Sequence, residues 1–331
     1  MSFNHQPIVV FTEGSYYPED FSVSIFPVLG ERFELRRTEA LTPDELIEAL
    51  AEADVVVARR GQFIARVFQA LPRLKGIVKW GAGVETIDIP AATKSGIIVA
   101  NSPGNSFAVA EAAMCLMLAV AKNLLVMVQA AKDGERPAFD VRGNELYEKT
   151  LGIVGFGRIG RHLAHIAQGF AMNVIAFDPY VPAGIFPEVG ARQVDLPTLM
   201  QESDYISIHC ALTSETHHLI GEKEISSMKS SAYLVNTARG PVLEEAALYR
   251  ALVEGRIAGA GLDVFEFEPL DPNNPLLALP NVVATPHSLP RAWESTGRTT
   301  QMIQNAVLAI LNGHLPDTVL NPDLKIQGAQ P

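Results

Sequence analysis

Short apolar runs alternate with longer amphipathic stretches along the whole chain. Four runs in the first part have the length and composition of buried strands: Ile8–Phe11, Val55–Ala58, Gly76–Trp80 and Ile97–Ala100. Six more follow: Leu151–Val154, Asn173–Phe177, Tyr205–His209, Ala232–Asn236, Ala260–Val264 and Val282–Ala284. Runs with few polar positions are typical of parallel strands covered by helices on both faces. The pattern therefore predicts an α/β protein with two doubly wound parallel sheets.

Polar residues indicate where an intervening helix begins. Thr42, Pro43 and Glu45 have the spacing of a capping box, in which a hydroxyl group and a carboxylate bond the first free backbone N–H groups. Further helices are predicted at Arg161–Phe170, Leu243–Glu254 and, with approximate ends, Arg291–Leu311.

The longest apolar stretch, Val109–Val128, raises the question of a membrane span. It contains Glu111, Lys122 and Asn123, and such residues are costly in the apolar part of a bilayer. A helix in the core of a soluble protein explains the stretch better. We therefore expect no membrane partner.

Two breaks rich in proline and glycine, Asn101–Gly104 and Pro286–Pro290, divide the strand pattern. The second series of strands lies between them. We therefore expect an inner domain of residues 102–286, inserted into an outer domain made of residues 1–101 and 287–331. A cleft between two such domains is a natural place for a small ligand.

Composition narrows the classes of function. Of the 331 residues 48% are hydrophobic and 19% charged, and the formal net charge is −11. A net negative charge repels phosphate backbones, so we expect no nucleic-acid partner. The two cysteines, Cys115 and Cys210, show no metal-ligand or disulfide spacing, and the N-terminus lacks a secretory pattern. These features favour a cytoplasmic protein without a metal site.

A glycine motif follows the first strand of the second series and opens a helix. It consists of Gly155, Gly157 and Gly160, with Arg158 and Ile159 between the last two glycines. In dinucleotide-binding folds the first glycine permits a tight turn, the second lets the backbone approach the pyrophosphate, and the third lets helix and strand pack closely. The helix N-terminus then offers free N–H groups to the phosphates.

The next strand ends at Asp178, about 20 residues after the motif, where such folds place an acid against the ribose hydroxyl groups. Three glycines alone could simply mark a turn, but the strand, the helix and the acid together favour a cofactor site. A carboxylate at this position repels a 2′-phosphate. The sequence therefore predicts NAD rather than NADP.

Three polar residues follow the last strands, where open parallel sheets bind their ligands: Arg239, Glu268 and His287. Reduction of a 2-oxo acid needs a cation for the carboxylate and carbonyl, which Arg239 can supply. It also needs a proton donor near neutral pH, such as His287, and an acid such as Glu268 that orients the imidazole and favours its charged form. Each residue alone also fits a structural role, as an ion-pair partner, a solvated acid or a cap.

At these motifs the sequence resembles the D-isomer-specific 2-hydroxyacid dehydrogenases, most closely the phosphoglycerate dehydrogenase and hydroxypyruvate reductase branch. The resemblance runs nearly end to end, through Lys79–Asp88, Asn101–Ser106, Ala110–Glu111, the glycine motif and the three polar residues. It implies a Rossmann NAD-binding domain inserted into a flavodoxin-like substrate domain. It also implies that Arg239, Glu268 and His287 form the catalytic set. The chain leaves no room for the C-terminal regulatory domain of the long phosphoglycerate dehydrogenases, so we expect the short form.

The resemblance implies further binding residues. For the cofactor these are His209, Thr216, Thr237, Ala238, Asp263 and His287, besides the glycine motif and Asp178. For the substrate they are Arg59, Trp80, Gly81, Ala82, Gly83 and Arg239. Backbone N–H groups of the Gly81–Gly83 turn would hold a carboxylate, although a plain strand-to-helix turn has the same pattern. Arg59 and Arg60 fit a solvated strand edge equally well. With Lys79 they form a local excess of cations, from which we expect a second polar or anionic group on the substrate.

The favoured function is an NAD-dependent oxidoreductase that interconverts a small (R)-2-hydroxy acid and its 2-oxo acid, with phosphoglycerate, glycerate or hydroxypyruvate, and glyoxylate as candidates. An NAD-sensing binding protein of the corepressor kind is the alternative from another class. A dehydrogenase of formate or another donor is the alternative within enzymes, and Glu268 disfavours it because some such relatives carry glutamine there. A homodimer is expected through Val109–Val128 and Lys132–Lys149, unless this helix only lines its own core.

Overall fold

The computed structural model describes residues 6–138 and 141–324, which fall into two units. One unit contains Met1–Asn105 and Trp293–Pro331, and the other contains Ser106–Ala292. Both boundaries lie a few residues after the expected ones, so His287 belongs to the second unit and not to the outer segment 287–331. The reason is local, since buried Asp263 accepts the backbone N–H groups of Ser288 at 3.0 Å and Leu289 at 3.1 Å and holds this segment in the second unit.

The first unit is built on a five-stranded parallel sheet with the order β2-β1-β3-β4-β5. Its strands are β1 (Ile8–Thr12), β2 (Glu34–Thr38), β3 (Val55–Ala58), β4 (Gly76–Trp80) and β5 (Ile98–Ser102). Its helices are α1 (Phe21–Ser24), α2 (Pro27–Gly30), α3 (Pro43–Ala49), α4 (Ala65–Ala70), α5 (Ile89–Lys94) and a C-terminal helix (Trp293–Leu311), with a 3₁₀ turn at Gly14–Tyr16. This strand order is the flavodoxin-like one, as the resemblance implied.

Local signals explain where some of these elements begin. The capping box of α3 is formed as expected: Thr42 Oγ1 accepts the N–H of Glu45 at 3.4 Å, and the Glu45 carboxylate accepts the N–H of Thr42 at 3.0 Å. Strand β2 was not expected, because its sequence Glu-Leu-Arg-Arg-Thr is largely polar. It lies at the edge of the sheet and remains partly exposed, so burial did not require an apolar run.

The second unit is built on a seven-stranded parallel sheet with the order β12-β11-β10-β9-β6-β7-β8. Its strands are β6 (Thr150–Val154), β7 (Asn173–Phe177), β8 (Ala191–Gln193), β9 (Tyr205–Ile208), β10 (Tyr233–Asn236), β11 (Gly259–Leu262) and β12 (Val282–Ala284). Its helices are α6 (Ser106–Ala121), α7 (Leu124–Asp133), α8 (Arg158–Gln168), α9 (Ile185–Glu188), α10 (Leu196–Glu202), α11 (Glu222–Ser226) and α12 (Glu245–Val253), with 3₁₀ turns at Gly240–Val242 and Pro275–Ala278. From β6 the strands extend first to one side, as β7 and β8, and then to the other side, as β9 to β12. This change of side is the Rossmann arrangement. Edge strand β8 was not expected, because it has only three residues.

The apolar stretch Val109–Val128 does not form one core helix. Helix α6 is mostly buried, but Asn123 adopts a left-handed conformation with φ of 50° and ends it. Asparagine tolerates this conformation better than most residues, and its side-chain amide donates to the Arg142 carbonyl at 2.9 Å. Helix α7 then runs at an angle of 61° to α6, and none of its residues is buried. Over the described residues no single helix has the length and apolarity to span a membrane, and this bent pair meets those criteria only when the two helices are counted together.

Each sheet has an apolar core on both faces. In β6 the side chain of Val154 joins the cluster on one face, while Leu151 and Ile153 join the cluster on the other. In β3 the side chain of Val56 likewise faces the opposite core from Val55. Full burial of such a side chain contributes about 1.5–3 kcal/mol. Because both faces are filled, the strand ends and the loops after them are left for binding and catalysis.

Candidate active site

The histidine and the acid of the expected catalytic set are in direct contact. His287 follows β12 in a left-handed conformation with φ of 52°. Its Nδ1 lies 2.7 Å from Oε2 of Glu268, whose Oε1 accepts the N–H of Phe265 at 3.2 Å. The imidazole is held by one nitrogen, which leaves Nε2 to exchange a proton with a substrate.

The surroundings of Glu268 favour its charged form. Burial works to raise the pKa of this carboxyl group, but several other effects outweigh it. The hydrogen bond and the charge of His287, the N–H of Phe265 and the charge of Arg239 together hold the pKa of Glu268 below its usual range. The group is therefore a carboxylate near neutral pH and can stabilise an imidazolium beside it.

Arg239 lies in the turn that follows β10. Buried Asn236 braces this turn, since its Oδ1 accepts the N–H of Ala238 at 3.0 Å and its Nδ2 donates to the Arg239 carbonyl at 3.1 Å. The guanidinium donates to the Ala238 carbonyl at 2.7 Å. It also acts electrostatically on Glu268. The structure thus brings the charges of Arg239, Glu268 and His287 together within the second unit.

Gly240 makes a contact that the sequence analysis missed. A Cβ atom at this position would lie 1.9 Å from the carbonyl carbon of Phe265 and 2.4 Å from the nitrogen of Glu266. The backbone of the Arg239 turn therefore packs directly on the backbone that leads to Glu268. The only sequence signal was a glycine directly after the arginine at the end of a strand.

Asp263 organises the segment that carries His287. It is 1% exposed, and its Oδ1 accepts the Thr285 hydroxyl at 2.6 Å besides the N–H groups of Ser288 and Leu289. Within the described residues these hydrogen bonds of the Asp263 carboxylate all end on Oδ1. The cofactor-binding role that the resemblance implies for Asp263 is compatible with this arrangement, because Oδ2 accepts none of these bonds.

Each glycine of the motif meets a different requirement. Gly155 has φ of +92°, and a Cβ there would lie 2.4 Å from the nitrogen of Cys210. A Cβ at Gly160 would lie 2.4 Å from the Gly155 carbonyl oxygen, so this glycine lets α8 approach β6. At Gly157 a Cβ would meet nothing within 4 Å, and no side chain caps the helix there. Open space beside an uncapped helix N-terminus fits a pyrophosphate group, and Arg158 and Ile159 form the first turn of that helix.

Asp178 is fixed to the glycine motif by its hydrogen bonds. Its Oδ2 accepts the N–H of Phe156 at 2.8 Å, and its Oδ1 accepts the N–H of Tyr180 at 2.9 Å. The hydroxyl group of Tyr180 in turn donates to Glu215. These partners of Asp178 are neutral, so its negative charge is not cancelled and remains for the ribose side of a dinucleotide.

Two polar atoms in the loops after β9 and β10 are buried and have no partner in the described part of the chain: His209 Nδ1 and Thr237 Oγ1. Burial lowers the pKa of His209 to about 3, so its ring is neutral and bonds Ser207 through Nε2 at 2.8 Å. Buried polar groups normally have hydrogen-bond partners, and these two fit a polar ligand at the carboxyl edge of the sheet. Thr216 is already engaged, since its hydroxyl group donates to the Ala211 carbonyl at 2.6 Å.

In the substrate turn expected at Gly81–Gly83, one of the three backbone N–H groups already has a hydrogen-bond partner within the first unit. Gly81 has φ of +94°, and its N–H donates to the Ser102 hydroxyl at 3.0 Å. That hydroxyl group donates onward to the Lys79 carbonyl at 2.7 Å. Over the residues that the structure describes, the N–H groups of Ala82 and Gly83 have no hydrogen-bond partner, so these two are left for an anion.

The arginines of the first unit surround an acid that the sequence analysis did not single out. Arg59 Nε lies 2.8 Å from Oε2 of Glu13, and Arg60 Nε lies 3.5 Å from its Oε1. The Arg59 guanidinium also lies 3.3 Å from the ring centre of Tyr16 and 5.6 Å from that of Trp80. Arg59 is therefore held by a carboxylate and two aromatic rings, while the side chain of Arg60 is 62% exposed.

Lys79 is engaged as well, since its ammonium group donates to the backbone carbonyl of Arg59. The second anionic group on the substrate was expected because of Arg59, Arg60 and Lys79. All three of these cations thus have partners within the first unit. The excess of positive charge is smaller than the sequence suggested.

Comparisons with known proteins agree with this geometry. A family model described as D-isomer specific 2-hydroxyacid dehydrogenase, NAD binding domain, matches residues 114–288. The D-3-phosphoglycerate dehydrogenase of Methanocaldococcus jannaschii is 42% identical over 297 residues, which are 89% of this chain but 56% of that protein, so the chain spans about half the length of this relative. The glyoxylate reductase of Korarchaeum cryptofilum is 38% identical over 306 residues, covering 89% of this chain and 92% of that protein.

Among solved structures, the D-lactate dehydrogenase of Aquifex aeolicus complexed with NAD and lactic acid superposes with a TM-score of 0.81. It is 30% identical and covers 92% of this chain and 96% of that one. The family resemblance of the sequence, the two-sheet fold and the NAD cofactor are thereby confirmed. The chain belongs to the D-isomer specific 2-hydroxyacid dehydrogenases, NAD-dependent oxidoreductases that act on the CH–OH group of their donors.

Proposed function

We propose that this chain interconverts a small (R)-2-hydroxy acid and its 2-oxo acid. The observation that carries the proposal is the 2.7 Å contact between His287 and Glu268, with the charge of Arg239 acting on the same carboxylate. A bound NADH supplies the hydride. The residues of the second unit supply the proton, the orientation and the charge.

In the direction of reduction, Arg239 binds the substrate carboxylate and polarises the carbonyl group. His287 donates a proton from Nε2 to the carbonyl oxygen, where negative charge develops. Glu268 holds the other ring nitrogen and stabilises the imidazolium before the transfer. In the reverse direction His287 accepts the proton of the hydroxyl group.

The tail of the preferred substrate, the group on the carbonyl carbon opposite the carboxylate, is short and uncharged: CH₂OH in hydroxypyruvate and only hydrogen in glyoxylate. The support comes from the first unit, where Arg59, the arginine expected on the substrate side, is already paired with Glu13 at 2.8 Å. A phosphate or second carboxylate would have to compete with that carboxylate. Of the second polar or anionic group expected from the cations alone, this proposal keeps only the polar form, because the partners of the cations were not visible in the sequence. The relatives include a D-3-phosphoglycerate dehydrogenase, a glyoxylate reductase and a D-lactate dehydrogenase, and these names do not decide between charged and uncharged tails.

The test is a panel of 2-oxo acids assayed with NADH: glyoxylate, hydroxypyruvate, phosphohydroxypyruvate, pyruvate and a dicarboxylic 2-oxo acid. We expect the highest kcat/KM among the uncharged tails. Higher values for the phosphorylated or dicarboxylic acid would refute the substrate class but not the reaction. Tight NADH binding without turnover of any member would instead favour the NAD-sensing protein, and oxidation of formate with NAD would favour the other-donor dehydrogenase.

The partner of this chain is a second copy of itself. Helix α7 supports this, because it buries none of its residues yet exposes Leu124, Leu125 and Val128 at 46%, 53% and 42%. Exposed apolar residues in one short helix are typical of an interface. Part of the expected Lys132–Lys149 segment, residues 139–140, lies outside the described residues.

Light scattering at micromolar concentration should show a dimer for the wild type. Leu125→Glu together with Val128→Glu should give a monomer, whereas Val253→Glu, which alters an equally exposed apolar side chain (57%) on α12, should leave the dimer intact. A monomeric wild type contradicts the proposal.

A further inference from the structure

A second imidazole–carboxylate pair lies next to the catalytic one. His218 Nε2 is 2.8 Å from Oε1 of Glu266, and Glu266 is two residues before Glu268 in the same loop. The Glu266 side chain is 20% exposed and that of His218 is 39% exposed. The mechanism above uses neither residue, so this pair needs an explanation of its own.

Glu266 is anchored to the start of α12. Its Oε1 also accepts the backbone N–H of Glu245, the first residue of that helix, at 3.2 Å. In return, the backbone N–H of Glu266 donates to the Glu245 carboxylate. Asn274 braces the same carboxylate at 3.0 Å. A carboxylate at a helix N-terminus is favourable because it satisfies a free N–H and lies at the positive end of the helix dipole.

His218 connects this anchor to the turn that carries Arg239. Its backbone N–H donates to the Pro241 carbonyl at 2.8 Å, and it adopts φ of +51°. Pro241 follows Gly240, whose backbone packs against the Phe265–Glu266 peptide. His218 therefore contacts the Arg239 turn through its backbone and the Glu268 loop through its side chain.

Apolar packing does not fix the part of the loop that bears Glu268. Phe265 is buried, but Phe267, between the two acids, is 80% exposed. The hydrogen bonds of Glu266 thus restrain the loop just before Glu268, together with the packing of Gly240 on the Phe265–Glu266 peptide. A small displacement of a catalytic group lowers rates strongly, because the reacting atoms must be aligned.

We propose that His218 and Glu266 are positioning residues, which fix the Glu268 loop against the Arg239 turn so that Glu268 stays in contact with His287. This inference rests on the proposed reaction for its kinetic consequence, but the geometry that it concerns can be measured without turnover.

Glu266→Ala should lower kcat for 2-oxo acid reduction by about 10- to 100-fold. The KM for NADH should change little, because the hydrogen bonds of Glu266 and His218 end on each other, on Glu245 and on Pro241 and not on the glycine motif. Glu266→Gln should restore most of the loss, since an amide oxygen can still accept from His218 and Glu245. Glu202→Ala, which removes a surface partner of Arg192 in the same unit, is the matched control and should behave as wild type.

A double-variant cycle tests whether Glu266 acts through Glu268. If it does, Glu266→Ala should cost little more in a Glu268→Gln background, because the contact to be positioned is already altered. The alkaline limb of the pH profile of Glu266→Ala should move toward that of Glu268→Gln. Full additivity of the two losses, or an unchanged limb, would overturn the proposal, and thermal unfolding of each variant shows whether simple loss of fold explains the data.

The NMR chemical shifts of the His287 ring nitrogens provide a readout that needs no substrate, because Nδ1 contacts Glu268. At one fixed pH, Glu266→Ala should change these shifts in the same direction as Glu268→Gln, while Glu202→Ala should not. If the wild type reduces no 2-oxo acid, the proposed reaction fails and these spectra still decide the positioning role. Unchanged His287 signals in a folded Glu266→Ala protein contradict it.

Discussion

At the carboxyl edge of the seven-stranded sheet, the Glu268 carboxylate bonds an imidazole that can gain or lose a proton. At the carboxyl edge of the five-stranded sheet, the Glu13 carboxylate lies between the guanidinium groups of Arg59 and Arg60, which stay charged at any ordinary pH. Both sheets are parallel, and both carry charged side chains directly after their strands. Only the first arrangement can change its protonation state during a reaction.

The difference extends to the other acid of the cofactor unit. Asp178 is held by the backbone N–H groups of Phe156 and Tyr180, so its charge is fixed in place but not cancelled. Glu13 is fixed in place by cations and largely cancelled. A charge that is held by neutral donors can act on a ligand, whereas a charge that is held by opposite charges mainly organises its own loop. Five predictions test this contrast, from the largest expected effect to the smallest.

His287→Ala should lower kcat for reduction by about 10²–10⁴-fold, the usual cost of a lost general acid. NADH affinity should stay close to wild type, because the glycine motif and Asp178 are unaltered. Steady-state kinetics and a fluorescence titration with NADH measure the two quantities. His314→Ala, at an exposed histidine of the first unit, is the control. Turnover near the wild-type rate in His287→Ala would identify another proton donor.

NADH should be preferred over NADPH by about 100-fold in kcat/KM, since juxtaposed like charges cost several kcal/mol and each 1.4 kcal/mol is about tenfold. Asp178→Asn should narrow the gap, mainly by improving the use of NADPH. Asp133→Asn, at the end of α7, should leave it unchanged. Equal use of the two cofactors by the wild type would mean that the charge of Asp178 does not reach the 2′-phosphate.

Glu268→Gln should cost less than His287→Ala, on the order of 10- to 100-fold in kcat. The alkaline limb of the reduction profile should move to lower pH, because a neutral amide no longer stabilises the imidazolium. If the alkaline limb does not move, Glu268 does not influence the proton transfer.

The same variant should also change stability in acid. The pKa of Glu268 lies below its ordinary value of 4.5, so its charge stabilises the folded state above about that pH and this contribution disappears as pH falls through the lower folded value. Between those two values the stability of the wild type should therefore fall more steeply with pH than that of Glu268→Gln. Urea unfolding across pH 3–6 measures the difference.

Glu13→Gln should raise kcat/KM for phosphohydroxypyruvate relative to hydroxypyruvate by about two- to fivefold, the size expected for a partly exposed charge contact. The physical reason is that Arg59 and Arg60 lose their shared counter-ion. Glu52→Gln, which removes a surface partner of Arg36 in the same unit, should not alter the ratio. If the ratio of the two kcat/KM values is unchanged in Glu13→Gln, Glu13 does not influence which substrate tail is preferred.

The sequence by itself determined the fold class and indicated which residues would form the catalytic set. Apolar runs without alternation specified parallel strands, because a strand covered on both faces has no polar face to show. Gly155 and Gly160 could be predicted because a side chain at either position would clash with neighbouring backbone, and Gly157 because it leaves open space at the helix N-terminus. Arg239, Glu268 and His287 were predictable because each lies in the loop that follows a strand of the inner sheet, so the topology brings them to one edge.

Only the tertiary structure decided which charges meet. Glu13 and Arg59 are distant in the chain, and their contact depends on β1 and β3 being neighbours in the sheet. The contact of Gly240 with the Phe265–Glu266 peptide, and the bond of His218 to Glu266, likewise join segments that no local pattern links. The reason is that periodicity and turn chemistry act over a few residues, whereas ion pairs and close backbone contacts depend on distances in space. The edge strands β2 and β8 and the break at Asn123 could not be predicted from the apolar pattern either. Partial exposure removes the apolar signal of an edge strand, and a single residue can redirect a helix.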